Sequence, residues 1–300
     1  MGSREIKDDV NSFTKWKRAS DCAFSRISLS ETLLGGQSFV WTETQANRWT
    51  GVVGKTIVEL RLREGNLDWR SLLGSQFSHD DLARYLWLDS SYEEALDQLP
   101  WRSDPVMACC IKSLKGLRIL KQPLDETLFY FLLSPVKSIP QIREIGYSIA
   151  RKYGPFLGRG NYGFPGWERL SEIPEQEFRN LKVGYRAKSI VGVARFLAKQ
   201  PDWLTEVEGL EYGEARNRLV GLPGVGQKIA DCVLLFGAGK FQAFPIDTWI
   251  EKTLERRYQL KGWTLNQKII FACRHFGKHA GLAQQFLFSA ERLGFLNEFE

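Results

Sequence analysis

The sequence predicts an α+β protein in which a small N-terminal antiparallel β-sheet domain precedes a larger, mostly α-helical region. Between about residues 27 and 70, apolar and polar side chains alternate, as in "SFVWTE", "RWTGVV" and "TIVELRLREG". This alternation is typical of half-buried strands. From residue 92 onward, nearly every segment has helical periodicity, and short Gly, Pro or Asp breaks separate the segments. We therefore expect a polar, loosely ordered segment at 1–25, the sheet domain with a flanking helix at 26–100, and the helical region at 101–300.

The individual elements follow from local signals. "TQAN" and "VGK" mark turns between the strands. "SHDDLARYLWL" predicts the flanking helix, with its N-cap at Ser78 or Asp80. The helical candidates after it are "SYEEALDQLP", "DPVMACCIKSLKGLRIL", "DETLFYFLLS", "IPQIREIGYSIARKYG", "PEQEFRNL", "YRAKSIVGVARFLAKQ", "GEARNRLVGL", "QKIADCVLLFGAG", "DTWIEKTLERRY" and "GLAQQFLFSAERLG".

Composition limits the classes of function. The 300 residues are 43% apolar and 25% charged, as in ordinary soluble globular proteins, and no apolar stretch is long enough for export or membrane insertion. The net charge of +6 suits a polyanionic partner, although many ordinary surfaces carry it too. The five cysteines are odd in number and lack the paired spacing of zinc or iron–sulfur ligands: Cys22, Cys109, Cys110, Cys232 and Cys273. We therefore expect an intracellular protein without a disulfide framework.

The stretch "LPGVGQKIADC", residues 222–232, carries the strongest local signal. A short amphipathic helix precedes it, so a helix, a glycine-bearing turn and a second helix follow one another at about 212–237. Free backbone N–H groups in such a hairpin can bind a phosphate. The spacing excludes a Walker A loop, and no strand precedes the turn as a dinucleotide fingerprint requires. The alternative is a helix–turn–helix corner whose glycines serve packing.

Lys228 points to chemistry beyond packing. It lies in the first turn of the second helix, where the positive end of the helix dipole disfavours an ammonium group. A lysine whose pKa is lowered can act as an amine nucleophile and form a Schiff base. Cys232 follows four residues later on the same helix face, and Asp247, 19 residues beyond Lys228, precedes another helix. Amine and carboxylate together suit glycosidic bond cleavage. The simpler alternatives are a core cysteine and a plain helix cap.

These motifs resemble the DNA glycosylase superfamily named for its helix–hairpin–helix and Gly/Pro-Asp motif, and within it the eukaryotic-type 8-oxoguanine DNA glycosylases. The resemblance covers about residues 28–293 and includes "GGQSFVW", "NYGFPGWERL", "GYRAKSI" and "AGLAQQFLFSA". It implies a bifunctional glycosylase/AP lyase that excises 8-oxoguanine from double-stranded DNA, requires no cofactor and acts as a monomer. It implies a DNA-associated location, in a bacterial cytoplasm or a eukaryotic nucleus. Iron–sulfur members carry four clustered cysteines after the catalytic aspartate, whereas this chain has only Cys273 there, so we expect no cluster.

The resemblance also implies residue roles. Lys228 is then the nucleophile at C1′, and Asp247 stabilises the developing positive charge. The residues that recognise the flipped base are Gly36, Cys232, Gln284 and Phe288. The residues that contact DNA are Tyr185, Arg186, Gly224, Gly226 and Gln227. A structural cation is implied at the backbone carbonyls of Val220, Leu222 and Val225.

One loop departs from the family pattern. Relatives carry a run of asparagines and then an arginine, which fill the vacated space and read the orphaned cytosine. Here the corresponding residues are Val136, Lys137, Ser138 and Gln141. Trp249 likewise replaces a phosphate-contacting histidine. We therefore expect weaker reading of the opposite base.

Two other classes remain open at this stage. One is a monofunctional glycosylase for alkylated bases on the same fold, which needs no amine, so Lys228 argues against it. The other is a non-catalytic helix–hairpin–helix module that only binds DNA.

Overall fold

The computed structural model of the chain describes residues 12–20 and 24–297. Its N-terminal part is a five-stranded antiparallel sheet with the spatial order β1-β5-β4-β3-β2. The strands are β1 Lys17–Ser20, β2 Trp41–Gln45, β3 Arg48–Val53, β4 Thr56–Arg63 and β5 Asn66–Ser71. The predicted α+β class, with sheet before helices, is confirmed.

Alternation along the strands gives the sheet two different faces. Trp41, Trp49 and Leu60 point to one face and are fully buried, in a core shared with the helices α1 Arg26–Leu34 and α2 His79–Leu86. The indole of Trp41 donates a hydrogen bond of 2.9 Å to the hydroxyl of Tyr85 on α2. The opposite face carries threonines and a glutamate, and it faces part of the helical region across an open cleft.

Two expectations for the N-terminal part are wrong. Lys17–Ser20 forms strand β1 although 1–25 was expected to be loosely ordered, because β5 offers a free edge and Lys17 pairs with Trp69. Residues 1–11 and 21–23 of that segment lie outside the described residues. The strand pattern was expected from about residue 27, but Arg26–Leu34 is a helix. Its N-terminus is stabilised by a capping box between Ser25 and Ser28.

Helices make up most of the remaining chain. Ser78, not Asp80, is the N-cap of α2. The later helices are α3 Ser91–Asp97, α4 Pro105–Ser113, α5 Leu124–Leu133, α6 Ile139–Tyr153, α7 Trp167–Ser171, α8 Glu175–Asn180, α9 Ala187–Lys199, α10 Trp203–Gly209, α11 Tyr212–Val220, α12 Gln227–Phe236, α13 Thr248–Arg257, α14 Leu265–Phe276 and α15 Ala280–Arg292. A short hairpin interrupts them, with strands β6 Phe156–Gly158 and β7 Asn161–Tyr162, in a region expected to be helical. Gly158 and Gly160 there have φ of 106° and 74°, which glycine adopts readily.

Helix α12 is central to the helical core. Its residues from Ile229 to Phe236 are all buried, and it packs against α5 and α11. Helix α15 packs against α13, where the buried side chains of Arg257 and Glu291 form an ion pair at 3.2 Å. Helices α12 and α13 are thus packed against α5 and α15, respectively. Within the described ranges, no helix is both long and apolar enough to cross a membrane.

Candidate active site

The motif singled out in the sequence forms a helix–hairpin–helix from α11, a short turn and α12. Gly224 in the turn has φ of 78°, and a Cβ atom there would lie 2.4 Å from the hydroxyl oxygen of Ser189. Both conditions require glycine at this position. Gly226 is the N-cap of α12 in an extended conformation, and Gly224, Gly226 and Gln227 are all exposed. The turn and the first turn of α12 therefore present backbone N–H groups to solvent, as anion binding requires.

A second exposed turn is attached to this hairpin. Gly184–Arg186 forms a short 3-10 helix before α9, and the side chain of Tyr185 is 57% exposed. The guanidinium of Arg186 lies 4.9 Å from the Tyr185 ring centre and donates a 2.9 Å hydrogen bond to the carbonyl of Gly224. Arg186 thus braces the hairpin against the tyrosine turn, instead of extending away from the protein.

Lys228 and Asp247, far apart in the chain, line the same small pocket. Asp247 is the N-cap of α13, and its Oδ1 accepts hydrogen bonds from the N–H groups of Trp249 at 3.0 Å and Ile250 at 2.9 Å. The cap therefore engages one carboxylate oxygen and leaves Oδ2 for another partner. The Lys228 amine is half-buried, 5.3 Å from the centre of the Phe131 ring. Among the described ion pairs, none joins Lys228 to Asp247.

The pocket, about 40 Å³ in volume, contains all the predicted base-recognition residues. It is lined by Gly36, Phe131, Lys228, Cys232, Phe236, Pro245, Asp247, Gln284, Gln285 and Phe288. Burial raises the pKa of the Cys232 thiol to about 12, although nearby Lys228 acts in the opposite direction. Burial thus disfavours the thiolate, the nucleophilic form of a cysteine, whereas Lys228 brings a primary amine to the same pocket.

Gln284 presents an unsatisfied acceptor in this pocket. Its Nε2 donates a 3.1 Å hydrogen bond to the carbonyl of Pro245, whereas its buried Oε1 has no partner. A buried acceptor without a partner is costly, so a donor on a ligand is favoured there. Phe288, one turn later on α15, is half-buried in the same pocket, and the guanidinium of Arg292 lies 5.9 Å from its ring centre. Arg292 is itself held by an ion pair to Glu31 on α1.

Gly36 lies in the loop between α1 and β2, not in a strand. Its φ is 109°, and a Cβ atom would come within 2.9 Å of the Ile139 side chain, so the position requires glycine. The next residue fixes the loop. Buried Gln37 donates to the carbonyl of Arg118 at 2.9 Å and accepts from the N–H of Leu120 at 2.8 Å. This bidentate clamp holds the backbone of Gly36 in place against the helical region.

The loop that departs from the family pattern is already engaged in local hydrogen bonds. Gln141 accepts a 2.9 Å hydrogen bond from the N–H of Ser138 and completes a capping box at the start of α6. The amine of Lys137 donates to the carbonyl of Lys182 at 3.0 Å. Val136 is 85% exposed with φ of 56°, a left-handed conformation that costs an L-residue about 1–2 kcal/mol. The carboxamide oxygen of Gln141 and the amine of Lys137 are therefore already engaged, and the exposed side chain of Val136 offers no hydrogen bond.

The carbonyls expected to hold a structural cation lie at the end of α11 and in the hairpin. That of Leu222 accepts a 3.1 Å hydrogen bond from the N–H of Val225, within the turn. No cluster of acidic, histidine or cysteine side chains able to bind a metal occurs among the described residues.

Sequence reasoning missed three contributors to the pocket. Phe131 on α5 faces the Lys228 amine, Pro245 orients Gln284, and Gln37 fixes Gly36. The contacts of all three join residues more than 30 positions apart, so the motifs that contain Gln37 and Pro245 did not reveal them. "DETLFYFLLS" is apolar on all sides, so nothing in it distinguishes Phe131 from its core neighbours.

The fold and this pocket define the class of protein as a DNA glycosylase of the helix–hairpin–helix superfamily. Residues 21–128 match the family model described as "8-oxoguanine DNA glycosylase, N-terminal domain". The chain is also 32% identical over 288 residues to the N-glycosylase/DNA lyase OGG1 of Arabidopsis thaliana, covering 89% of this chain and 78% of the plant protein. The chain belongs to the 8-oxoguanine DNA glycosylase family.

Solved structures agree with this assignment. A structure of MBOgg1 in complex with a low-affinity DNA ligand superposes with a TM-score of 0.85 at 30% identity, covering 94% of this chain and 98% of that one. The Clostridium acetobutylicum 8-oxoguanine glycosylase/lyase, in complex with double-stranded DNA containing cytosine opposite 8-oxoG, superposes with a TM-score of 0.84 at 26% identity. It covers 94% of this chain and 99% of the clostridial chain.

Proposed function

We propose that the protein is a bifunctional DNA glycosylase/AP lyase that removes 8-oxoguanine from double-stranded DNA. The observation that carries the proposal is the single pocket that combines an amine, a carboxylate and aromatic and amide side chains suited to contact a base. The plant relative is named for both activities, and the clostridial structure holds DNA with 8-oxoG opposite cytosine. Both support the reaction and the class of substrate.

The first chemical step is displacement of the base. The target nucleotide leaves the base stack, because C1′ is shielded within a duplex. The nitrogen lone pair of the Lys228 amine attacks C1′ while the glycosidic bond breaks, the bonding electron pair leaves with the base, and a proton from the amine passes to the base. Positive charge develops on the sugar in this step. Asp247 stabilises that charge through Oδ2, since the two cap hydrogen bonds use Oδ1.

The second step cleaves the strand. After the sugar ring opens, the covalent product is an imine between Lys228 and C1′, which is protonated at nitrogen. The positive nitrogen acidifies the hydrogens at C2′. Loss of one of them expels the phosphate from C3′ by β-elimination, and water then hydrolyses the imine and returns the amine.

Selection of 8-oxoguanine over guanine depends on the hydrogen-bonding character of N7. Oxidation at C8 converts N7 of guanine from a hydrogen-bond acceptor to an N–H donor. The Gly36 carbonyl, held by the Gln37 clamp, is the acceptor proposed for that N–H, and it repels the lone pair of unoxidised guanine. The unpaired Oε1 of Gln284 accepts from the Watson–Crick edge. Cys232 and Phe288 contact the two faces of the ring.

DNA binding is assigned to the two exposed turns. Backbone N–H groups at Gly224, Gly226 and Gln227 bind phosphate next to the lesion. Tyr185 enters the space between base pairs beside the flipped nucleotide, and Arg186 supports it. Carbonyls at the hairpin can hold a structural cation.

The chemistry proposed for the pocket requires neither a cofactor nor an iron–sulfur cluster. After Asp247 the sequence contains a single cysteine, Cys273, which is too few to ligate such a cluster. We further propose that the protein acts as a monomer in the DNA-containing compartment of the cell.

The test is base release and strand cleavage on duplexes containing 8-oxoguanine, guanine or 7-methylguanine. We expect free 8-oxoguanine and a β-elimination product from the first duplex alone. Release of 7-methylguanine without strand cleavage would instead identify a monofunctional alkylated-base glycosylase. Tight binding without release from any duplex would identify a non-catalytic DNA-binding module.

A further inference from the structure

A second, much larger cleft separates the outer face of the sheet from the helices α5 and α6 and the hairpin β6–β7. Its volume is about 680 Å³, within the range of about 300–1,000 Å³ that is usual for small-molecule sites. It shares no lining residue with the Lys228 pocket. The reaction proposed above makes no use of it.

The cleft contains a buried carboxyl group without a partner. Glu126 on α5 is only 8% exposed and lines the cleft. Among the residues that the structure describes, none donates a hydrogen bond or forms an ion pair with its carboxylate. Burial raises the pKa of Glu126 to about 8, and Asp125 adds to that effect. An unpaired carboxyl costs folding free energy, so its position calls for a ligand that donates hydrogen bonds.

Two further polar groups in the cleft are also without partners. Tyr130, one turn along α5, is buried, and the Glu126 carboxylate contributes to raising the pKa of its hydroxyl, after burial itself. No described residue accepts from or donates to that hydroxyl, and the absence of a side chain at Gly146 leaves room for the ring. On α6, Arg143 donates through Nη2 to the carbonyl of Leu34 at 3.1 Å, but its buried Nε has no acceptor.

The walls beside these groups are aromatic. Phe39 stacks on Tyr130 with ring centres 5.4 Å apart, and Phe164 and Tyr147 line the cleft beside them. Flat apolar walls favour a flat ligand. The Glu126 carboxyl and the Tyr130 hydroxyl lie one turn apart on α5, so together they call for both donors and an acceptor from that ligand. Among the described residues, the charged side chains that line the cleft balance and so favour a neutral ligand: Arg48, Arg143, Arg159, Glu59, Glu126 and Glu144.

From this arrangement we propose that the cleft is a binding site for a neutral, planar heterocycle whose edge carries adjacent N–H donors and a carbonyl acceptor, as in a guanine-type nucleoside. The N–H donors bind Glu126, the carbonyl accepts from the Tyr130 hydroxyl, and the ring lies against the aromatic walls. None of the residues that line the cleft is among those assigned to DNA binding above, and the inference does not depend on the proposed reaction.

The test is a calorimetric titration of the DNA-free protein with guanosine, carried out in a Gln284→Ala background. That background removes a base contact from the Lys228 pocket, so the signal reports on the cleft. We expect saturable one-to-one binding that weakens by about tenfold or more in Glu126→Gln. 1-Methylguanosine, whose ring N–H is replaced by N-methyl, should bind the parent protein about as weakly as guanosine binds Glu126→Gln. Asp231→Asn is the matched control, because Asp231 is also a buried carboxyl with a raised pKa but does not line the cleft, and the affinity of this variant for guanosine stays within about twofold of the parent.

Glu126→Gln removes an unpaired buried carboxyl and is expected to fold at least as stably as the parent protein, which a thermal melt verifies. Tyr130→Phe is the second variant, because it removes one hydroxyl and keeps the ring. It weakens binding by several-fold. Absence of saturable binding at roughly 10 mM guanosine overturns the proposal. So does binding that Glu126→Gln and Tyr130→Phe leave unchanged.

Discussion

The loop at residues 136–141 leads to a prediction about the base opposite the lesion. Bidentate recognition of a base by arginine contributes about 1–3 kcal/mol of discrimination. Where the family resemblance implies an arginine, this chain has Gln141, whose carbonyl oxygen accepts from the Ser138 N–H, and the Lys137 amine donates to the carbonyl of Lys182. Val136 offers no hydrogen bond. We therefore expect excision opposite cytosine to exceed excision opposite adenine, guanine or thymine by well under a hundredfold, which corresponds to about 2.7 kcal/mol.

The assay is single-turnover excision on four duplexes that differ only in the opposite base. Gln141→Arg should raise the preference for cytosine by about tenfold. Gln98→Arg, which adds the same charge at an exposed position outside the loop, should leave the preference unchanged. A wild-type preference for cytosine of about a hundredfold or more would refute the reasoning. It would mean that another residue, for example Arg186 after release from Gly224, reads the cytosine edge.

Three further substitutions test the site and its support. Asp247→Asn keeps an N-cap acceptor but loses the charge, so excision should fall by at least about a hundredfold while urea stability drops by less than about 1 kcal/mol; unchanged excision would reduce Asp247 to a cap. Gly224→Ala places a Cβ atom 2.4 Å from the Ser189 hydroxyl oxygen and strains the positive φ. The melting temperature and the affinity for undamaged duplex should both fall. An unaltered affinity would contradict the phosphate-binding role of the hairpin. Burial raises the pKa of Asp231 from 3.8 to about 6, although the Tyr212 hydroxyl donates to it at 2.7 Å. A carboxyl with a raised folded-state pKa favours folding most at low pH and loses that contribution as pH rises through about 6. Asp231→Asn should therefore be more stable than wild type at pH 7.5, by roughly 1–3 kcal/mol, with the difference shrinking toward pH 4; a variant less stable at pH 7.5 would contradict this.

The fold class was predictable because its signals are local. Alternation along β3 and β4 and the helical period after residue 92 each arise within one segment. Strand β1 was missed because its stability comes from pairing Lys17 with Trp69, 52 residues away. Helix α1 was missed because the apolar residues of so short a stretch fit both the helical and the strand period. The capping box of Ser25 and Ser28 stabilises the helix.

In the site too, contacts set by local spacing could be predicted from the sequence, and contacts set by long-range packing could not. Lys228 with Cys232, and Gln284 with Phe288, are each four residues apart, so their shared faces follow from helix geometry. The approach of α12 to α15, and the contact of Phe131 with the lysine, depend on packing of the whole helical region. The local role of Gln141 was readable, because Ser138 and Gln141 have the spacing of a capping box. The family resemblance implies a base-reading role for this position, whereas in this chain Gln141 caps α6.

The central claim is that the Lys228 amine becomes covalently attached to the sugar of the lesion, and borohydride trapping tests it most directly. Borohydride reduces the imine and leaves a stable protein–DNA complex that is separable on a denaturing gel. We predict trapping of wild type on 8-oxoguanine duplex, and none with Lys228→Gln although that variant still binds the duplex. Lys188→Gln, which removes an exposed charge beside the hairpin, should trap as wild type does. Trapping of Lys228→Gln at the wild-type level would contradict the account.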